Sequence, residues 1–134
     1  MDFLNIVDIL NNIRYPNMVT LRGCCVGRED MVGHRLQFFI YDCMPNGNVN
    51  EHFFGEKSRE PLIWPQGKNI VPGISKGLAY LHFNVQQVIY HRDIRPTNIF
   101  LGEEMNAHVS DFGLARIMTQ GGKFQPMSDD FLAP

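Results

Sequence analysis

The sequence predicts an α+β fold, because helical and strand patterns occupy separate stretches of one chain. Residues 3–13 and residues 66–83 each place apolar side chains at mostly helical spacing. Leu36–Tyr41 is a short apolar run bounded by turn-forming residues, which favours a buried strand. The chain has 134 residues, enough for one ordinary domain.

The first part of the chain is predicted to hold one helix and two strands. The helix at residues 3–13 should stop at Tyr15-Pro16-Asn17, because the residue before a proline avoids helical geometry. A short strand is expected at residues 18–23. The polar residues 27–33 then form a turn that leads to the strand at Leu36–Tyr41.

The long helix at residues 66–83 contains an unfavourable pair, Pro72-Gly73. Proline costs about 3 kcal/mol and glycine about 1 kcal/mol in a helix interior, so we expect a kink or an early start. Residues 114–134 look irregular. The remaining short elements are a helix near residues 48–54 and strands near residues 88–90, 99–101 and 107–109.

The composition is that of a globular protein and excludes several functional classes. The chain is 44% hydrophobic and 19% charged, and its formal net charge of −2 gives no electrostatic case for nucleic-acid binding. No apolar run approaches the roughly 18–20 residues that span a bilayer. Three cysteines without metal-ligand spacing indicate buried, reduced thiols and a cytosolic compartment.

Two short segments carry the chemistry. In His91-Arg92-Asp93-Ile94-Arg95-Pro96-Thr97-Asn98, the carboxylate of Asp93 precedes the amide of Asn98 by five positions, and Val109-Ser110-Asp111-Phe112-Gly113 adds a second carboxylate, Asp111. Phosphoryl transfer needs a carboxylate that orients the attacking hydroxyl and oxygen ligands that hold Mg²⁺ on the phosphates. The pair of segments therefore predicts phosphoryl-transfer chemistry.

These segments resemble the catalytic loop and the metal loop of the protein kinases, and plant receptor-like serine/threonine kinases are the most similar subgroup. Further matching stretches cover nearly the whole chain. They are residues 15–25, residues 40–48, Gly77-Leu78-Ala79-Tyr80-Leu81-His82, Asp111-Phe112-Gly113-Leu114-Ala115-Arg116 and Leu132-Ala133-Pro134.

The resemblance implies a partial two-lobed kinase fold over residues 1–134, running from the family's regulatory helix αC to its activation segment. Residues 1–44 would form an upper-lobe remnant and the hinge, and residues 45–134 the lower-lobe part. The family's first three strands, its glycine-rich loop and its third-strand lysine are expected before Met1. The helices that follow the activation segment are expected after Pro134.

The resemblance also implies a role for each site residue. Asp93 would orient or deprotonate the substrate hydroxyl, and Arg95 stands where serine/threonine kinases carry a lysine that contacts the γ-phosphate. Asn98 and Asp111 would bind Mg²⁺. The backbone of Asp42 and Met44 would hold the adenine of ATP, and Phe100 would lie under its ring. For His91, the favoured interpretation is a packed core histidine without a proton-transfer role.

Three hypotheses for the function stay open at this point. The first is a serine/threonine protein kinase domain, cytoplasmic or on the inner side of the plasma membrane, that uses ATP and Mg²⁺ on a protein substrate. The second is a pseudokinase-like module that binds a partner, such as a complete kinase, because Ile6 stands where the family has a glutamate. The third is a gene fragment without a stable product. Activity of these 134 residues by themselves is not expected.

Overall fold

A computed structural model describes residues 7–8, 10–55, 59–85 and 87–110 of the chain, together with the backbone of two short strands at 116–118 and 124–126. Residues 7–8 and 10–11 are helical, within the predicted first helix. The predicted α+β class is confirmed, since helices and short antiparallel sheets occur together in one chain. None of the helices in these ranges is long and apolar enough to cross a bilayer.

The first sheet is a hairpin of strand β1, Leu21–Glu29, and strand β2, Arg35–Tyr41. Asp30 stabilises its turn, because one side-chain oxygen accepts hydrogen bonds from the backbone of Val32 and His34 at 2.9 and 2.8 Å. The strand predicted at residues 18–23 began three residues too early and ended too soon, since β1 starts at Leu21 and continues through residues assigned to the turn. Pairing of Glu29 with Arg35 extends the ladder into a polar, exposed end of the hairpin.

The prediction that β2 is buried is wrong for one of its faces. Leu36, Phe38 and Ile40 alternate along the strand and are 67%, 53% and 54% exposed. Phe39 and Tyr41, which point to the opposite face, pack against the core. Because side chains alternate in a strand, the hairpin covers one face only and leaves an apolar face in water.

Two helices lie between this hairpin and residues 91–98, the predicted catalytic segment, which is called the catalytic segment below. Helix α1, Val49–Phe54, begins after Asn48, whose side-chain oxygen accepts a hydrogen bond from the Glu51 amide at 2.9 Å. Helix α2, Trp64–Ala79, begins two residues earlier than predicted and continues past the exposed Pro72. It runs directly into a π-helical turn at Tyr80–Asn84.

The three short strands predicted after α2 are confirmed: β3 is Ile89–Tyr90, β4 is Ile99–Leu101 and β5 is Ala107–Val109. Strands β4 and β5 form an antiparallel hairpin. The stretch predicted to be irregular contains β6, Arg116–Met118, and β7, Phe124–Pro126, which pair as β3–β6–β7.

The β4–β5 hairpin is the centre of the core. Leu101 and Val109 are fully buried, and Leu81 from the π-helical turn joins them. The backbone of Val109 exchanges hydrogen bonds with Asn17 and Val19 at 2.8 and 3.0 Å. These bonds attach the segment before β1 to the β4–β5 hairpin. The chain before β1 and the chain after α2 therefore meet beside the catalytic segment.

Candidate active site

An open cavity of about 620 Å³ lies where the β2–α1 connection meets the catalytic segment and the end of β5. It has the volume of an ordinary small-molecule site. The residues predicted to bind ATP and Mg²⁺ that the structure describes, Asp42, Met44, Phe100 and Asn98, all line it. The full lining is Val19, Tyr41, Asp42, Cys43, Met44, Gly47, Glu51, Arg59, Thr97, Asn98, Phe100 and Ser110.

The predicted hinge, Asp42 to Met44, is held from β1. The Asp42 amide donates to the Thr20 carbonyl at 3.0 Å, and the Asp42 carboxylate receives two hydrogen bonds from the Arg22 guanidinium, one of them at 3.0 Å. The carbonyl of Asp42 and the amide of Met44 have no hydrogen-bond partner among the described residues. These two groups are therefore free to pair with a ligand in the cavity.

The Arg22 guanidinium also changes the acidity of this position. It holds the pKa of the Asp42 carboxyl below its ordinary value, chiefly through the hydrogen bond that it donates and against a smaller effect of desolvation. The same bond raises the pKa of Arg22. Asp42 is therefore a carboxylate throughout the neutral range.

The catalytic segment brings Asp93 and Asn98 into direct contact. The Asn98 Nδ2 group donates to the Asp93 carbonyl at 2.9 Å and to Asp93 Oδ2 at 3.0 Å. Arg95 Nε lies 3.2 Å from Asp93 Oδ1. Arg92 adopts a φ of 69°, a strained value for a residue with a Cβ, and this turn lies directly before Asp93. Both Asp93 carboxylate oxygens are thus engaged.

His91 fixes the catalytic segment to the end of β5. Its side chain is 1% exposed, as the interpretation of a packed core histidine requires. The Asp93 amide donates to Nδ1 at 3.1 Å, so Nε2 carries the ring proton and donates to the Ser110 carbonyl at 2.6 Å. Ser110 precedes Asp111 in the sequence, and it lines the cavity.

Asp111 lies outside the described residues, so the predicted metal pair can be tested at Asn98 alone. Asn98 is 5% exposed, and both hydrogen bonds that its side chain donates come from Nδ2. Its Oδ1 has no hydrogen-bond partner among the described residues. A fixed amide oxygen beside a cavity suits Mg²⁺, which takes few protein oxygens and keeps several waters.

Glu51 and Arg59 line the cavity, but the sequence analysis did not identify them. Arg59 donates to the Pro45 carbonyl at 2.9 Å, and its Nε lies 3.3 Å from Glu51 Oε2. Nearby, the ring nitrogens of His52 lie 2.8 Å from the Asn46 carbonyl and 2.7 Å from the Glu60 carbonyl. The only sequence signal for Arg59 was the charge of residues 55–61, and a charged loop is usually solvated.

Comparison with known proteins identifies the family. The model of the protein kinase domain matches residues 2–134, so the chain belongs to the protein kinase domain family, and the resemblance stated above is confirmed. The chain is 47% identical over 122 residues to a probable receptor-like protein kinase of Arabidopsis thaliana. It is 38% identical over 120 residues to a probable LRR receptor-like serine/threonine-protein kinase of the same plant.

These relatives are much longer than the chain. The two alignments each cover 90% of this chain but 19% of the relative. Wall-associated receptor kinase-like 20 of Arabidopsis thaliana is 44% identical over 117 residues, which are 86% of this chain and 17% of that protein. The chain therefore spans about a fifth of the length of the curated relatives that it matches.

Proposed function

We propose that the chain carries the nucleotide and catalytic centre of a receptor-like serine/threonine protein kinase domain. The activity is transfer of the γ-phosphoryl group of ATP to a serine or threonine hydroxyl of a protein substrate. The observation that carries the proposal is the Asn98–Asp93 pair at the edge of a cavity lined by Asp42, Met44 and Phe100. Residues 1–44 and 45–134 would be the upper and lower parts of this site.

The geometry supports a simple division of labour. The Asp42 carbonyl and the Met44 amide would bind the adenine edge, with Phe100 against the ring. Asp93 would accept the hydrogen bond of the substrate hydroxyl and take its proton as the oxygen attacks phosphorus. Asn98 and Asp111 would hold Mg²⁺, which when bound neutralises charge on the phosphates.

In this proposal Arg95 acts first on Asp93 and then on the γ-phosphate. Its side chain is 61% exposed and pairs with Asp93, which is 17% exposed. From that position it would balance the charge of Asp93 before the substrate binds and reach the γ-phosphate afterwards. Arginine is a larger planar group than the lysine usual in the family, so an exchange of the two would not be neutral.

The test is thermal unfolding of the 134-residue chain with ATP and Mg²⁺, compared with Asp111→Ala and with the surface control Glu104→Ala. A magnesium-dependent rise in midpoint that Asp111→Ala abolishes and Glu104→Ala retains is the expected result. No rise in the unmodified chain contradicts nucleotide binding at this site.

A second candidate is an interaction module without phosphoryl transfer, which would bind a partner such as a complete kinase. Ile6 at the position of the family's glutamate and the exposed apolar face of β2 favour it. Phosphate transfer to a protein substrate, lost in Asp93→Asn and kept in Glu103→Gln, would exclude this candidate. We propose a cytoplasmic location, on the cytoplasmic side of the plasma membrane if the chain is part of a receptor-like kinase.

A further inference from the structure

A second cavity, of about 220 Å³, shares no lining residue with the proposed nucleotide site. It lies between the segment that follows the first helical residues and the π-helical turn at the end of α2. π-Helical turns are rare in proteins, and those that do occur are often found at functional sites. The cavity is lined by Asn12, Ile13, Tyr80, Asn84, Val85, Gln87 and Ile89.

The inner part of this cavity is apolar and rigid. Ile13 and Ile89 are 4% and 1% exposed and belong to the core. Tyr80 stacks on Tyr15 with ring centroids 4.6 Å apart and an interplanar angle of 14°. Its hydroxyl accepts a hydrogen bond from the Arg14 amide at 3.3 Å. Tyr15 thus covers one face of this ring, and Tyr80 also lines the cavity.

The rim of the cavity is polar but uncharged. The side chains of Asn12, Asn84 and Gln87 have no hydrogen-bond partner among the described residues. Each primary amide offers two donors and one acceptor. None of the described residues that line the cavity carries a charge. An ion that entered would lose hydration without gaining a counter-charge, whereas a neutral ligand would not.

We propose that this cavity binds a small, uncharged aromatic molecule that carries hydrogen-bonding groups on its edge. An apolar cavity of about 150 Å³ accepts benzene, so this one has room for a single ring with polar substituents. The ring would lie against Ile13, Ile89 and Tyr80. The edge groups would pair with the amides of Asn84 and Gln87. This site is independent of the proposed kinase activity.

The experiment uses 4-hydroxybenzamide as the probe and amide NMR spectra of the 134-residue chain as the readout. We expect saturable shifts at Asn12, Asn84 and Gln87 with a Kd of about 1 mM, as suits a ligand of this size. Saturating ATP and Mg²⁺ should leave these shifts in place. The charged analogue 4-hydroxybenzoate should bind at least tenfold more weakly.

Two variants and one control complete the test. Asn84→Ala and Gln87→Ala should each weaken binding severalfold, while Asn69→Ala, which alters an exposed amide on α2 outside the cavity, should not. The proposal is overturned by absence of shifts up to about 10 mM probe, by shifts confined to the hinge, or by equal binding of the charged analogue. It is also overturned if both cavity variants bind as the unmodified chain does.

Discussion

Asn98 uses the two ends of one buried amide for different purposes. Its nitrogen is bound to the backbone and side chain of Asp93, which fixes the direction of its oxygen. An asparagine can do this, whereas an aspartate at the same place would set two carboxylates against each other. The orientation of the proposed metal ligand thus depends on its contact with the proposed base.

Replacing Asn98 by alanine should therefore affect both stability and nucleotide binding. We expect the free energy of unfolding to fall by about 1–3 kcal/mol, because partly buried polar groups of Asp93 lose their partner. The magnesium-dependent shift with ATP should disappear. Urea denaturation and thermal shift measure the two effects. Thr97→Ala, at an exposed residue of the same cavity, is the control and should change stability little.

Arg22 and Asp42 give a second prediction, on pH. Because the folded-state pKa of Asp42 is depressed, the pair contributes stability above the ordinary aspartate pKa of about 3.9 and loses it as the pH falls through the folded value. In Arg22→Gln the pKa of Asp42 should rise toward its ordinary value. An NMR titration of the Asp42 carboxyl carbon checks this.

The control for that titration is Arg28→Gln, since Arg28 lies on the same strand and has no ion pair among the described residues. An Asp42 pKa that is the same with and without Arg22 would contradict the prediction.

Sequence reasoning did not find this pair, because its members are 20 positions apart and meet only when β1 and the hinge are side by side. It did foresee the burial of His91, since the motif fixes that position.

At the scale of elements, α2 approaches the β4–β5 hairpin through two glycines. A Cβ added at Gly77 would lie 3.1 Å from the Asn17 carbonyl oxygen and 3.2 Å from a methyl carbon of Val109. A Cβ added at Gly73 would lie 3.1 Å from that of Ala107. The glycine of the Pro72-Gly73 pair, which seemed to weaken the helix, thus allows α2 to pack closely on the hairpin.

This contact predicts opposite effects for two glycine substitutions in the same helix. Gly77→Ala should lower the free energy of unfolding by about 1–3 kcal/mol, because the backbone of Asn17 cannot move freely. Gly67→Ala should raise it by up to about 1 kcal/mol, because nothing lies within 4 Å of the added Cβ and alanine favours the helix. Chemical denaturation compares them, and destabilisation of equal size would contradict the packing argument.

The sequence predicted the type of most elements, since period and turn residues are local signals. It did not predict their extent where pairing decides it. The exposed end of β1 forms because Glu29 meets Arg35 across the hairpin, and strand β6 forms because its backbone meets β3. The pairing of β6 with β3 joins residues far apart in the sequence, and the pairing of Glu29 with Arg35 depends on where the turn of the hairpin lies. The early start of α2 was one of two predicted outcomes, and Pro65 in its first turn is a favourable position for proline.

At the scale of the whole molecule, we expect the exposed apolar face of β2 to promote self-association of the chain. Phe38→Thr should reduce self-association, which sedimentation measures. It should change the free energy of unfolding by less than about 1 kcal/mol, because Phe38 is 53% exposed. The neighbouring Phe39→Thr is the matched control. Phe39 packs against the core, so its loss should destabilise the fold. Self-association that persists in Phe38→Thr would contradict this assignment.

The strained turn at Arg92 has a consequence for evolution of the site. Glycine could adopt the same backbone angle without strain, and asparagine nearly so. Because an arginine occupies this position in spite of the backbone strain, we infer that its guanidinium contributes to the function of the site. In related genes that have lost this charge, we therefore expect a glycine or an asparagine at this position. Such genes are the ones to examine for loss of catalytic activity.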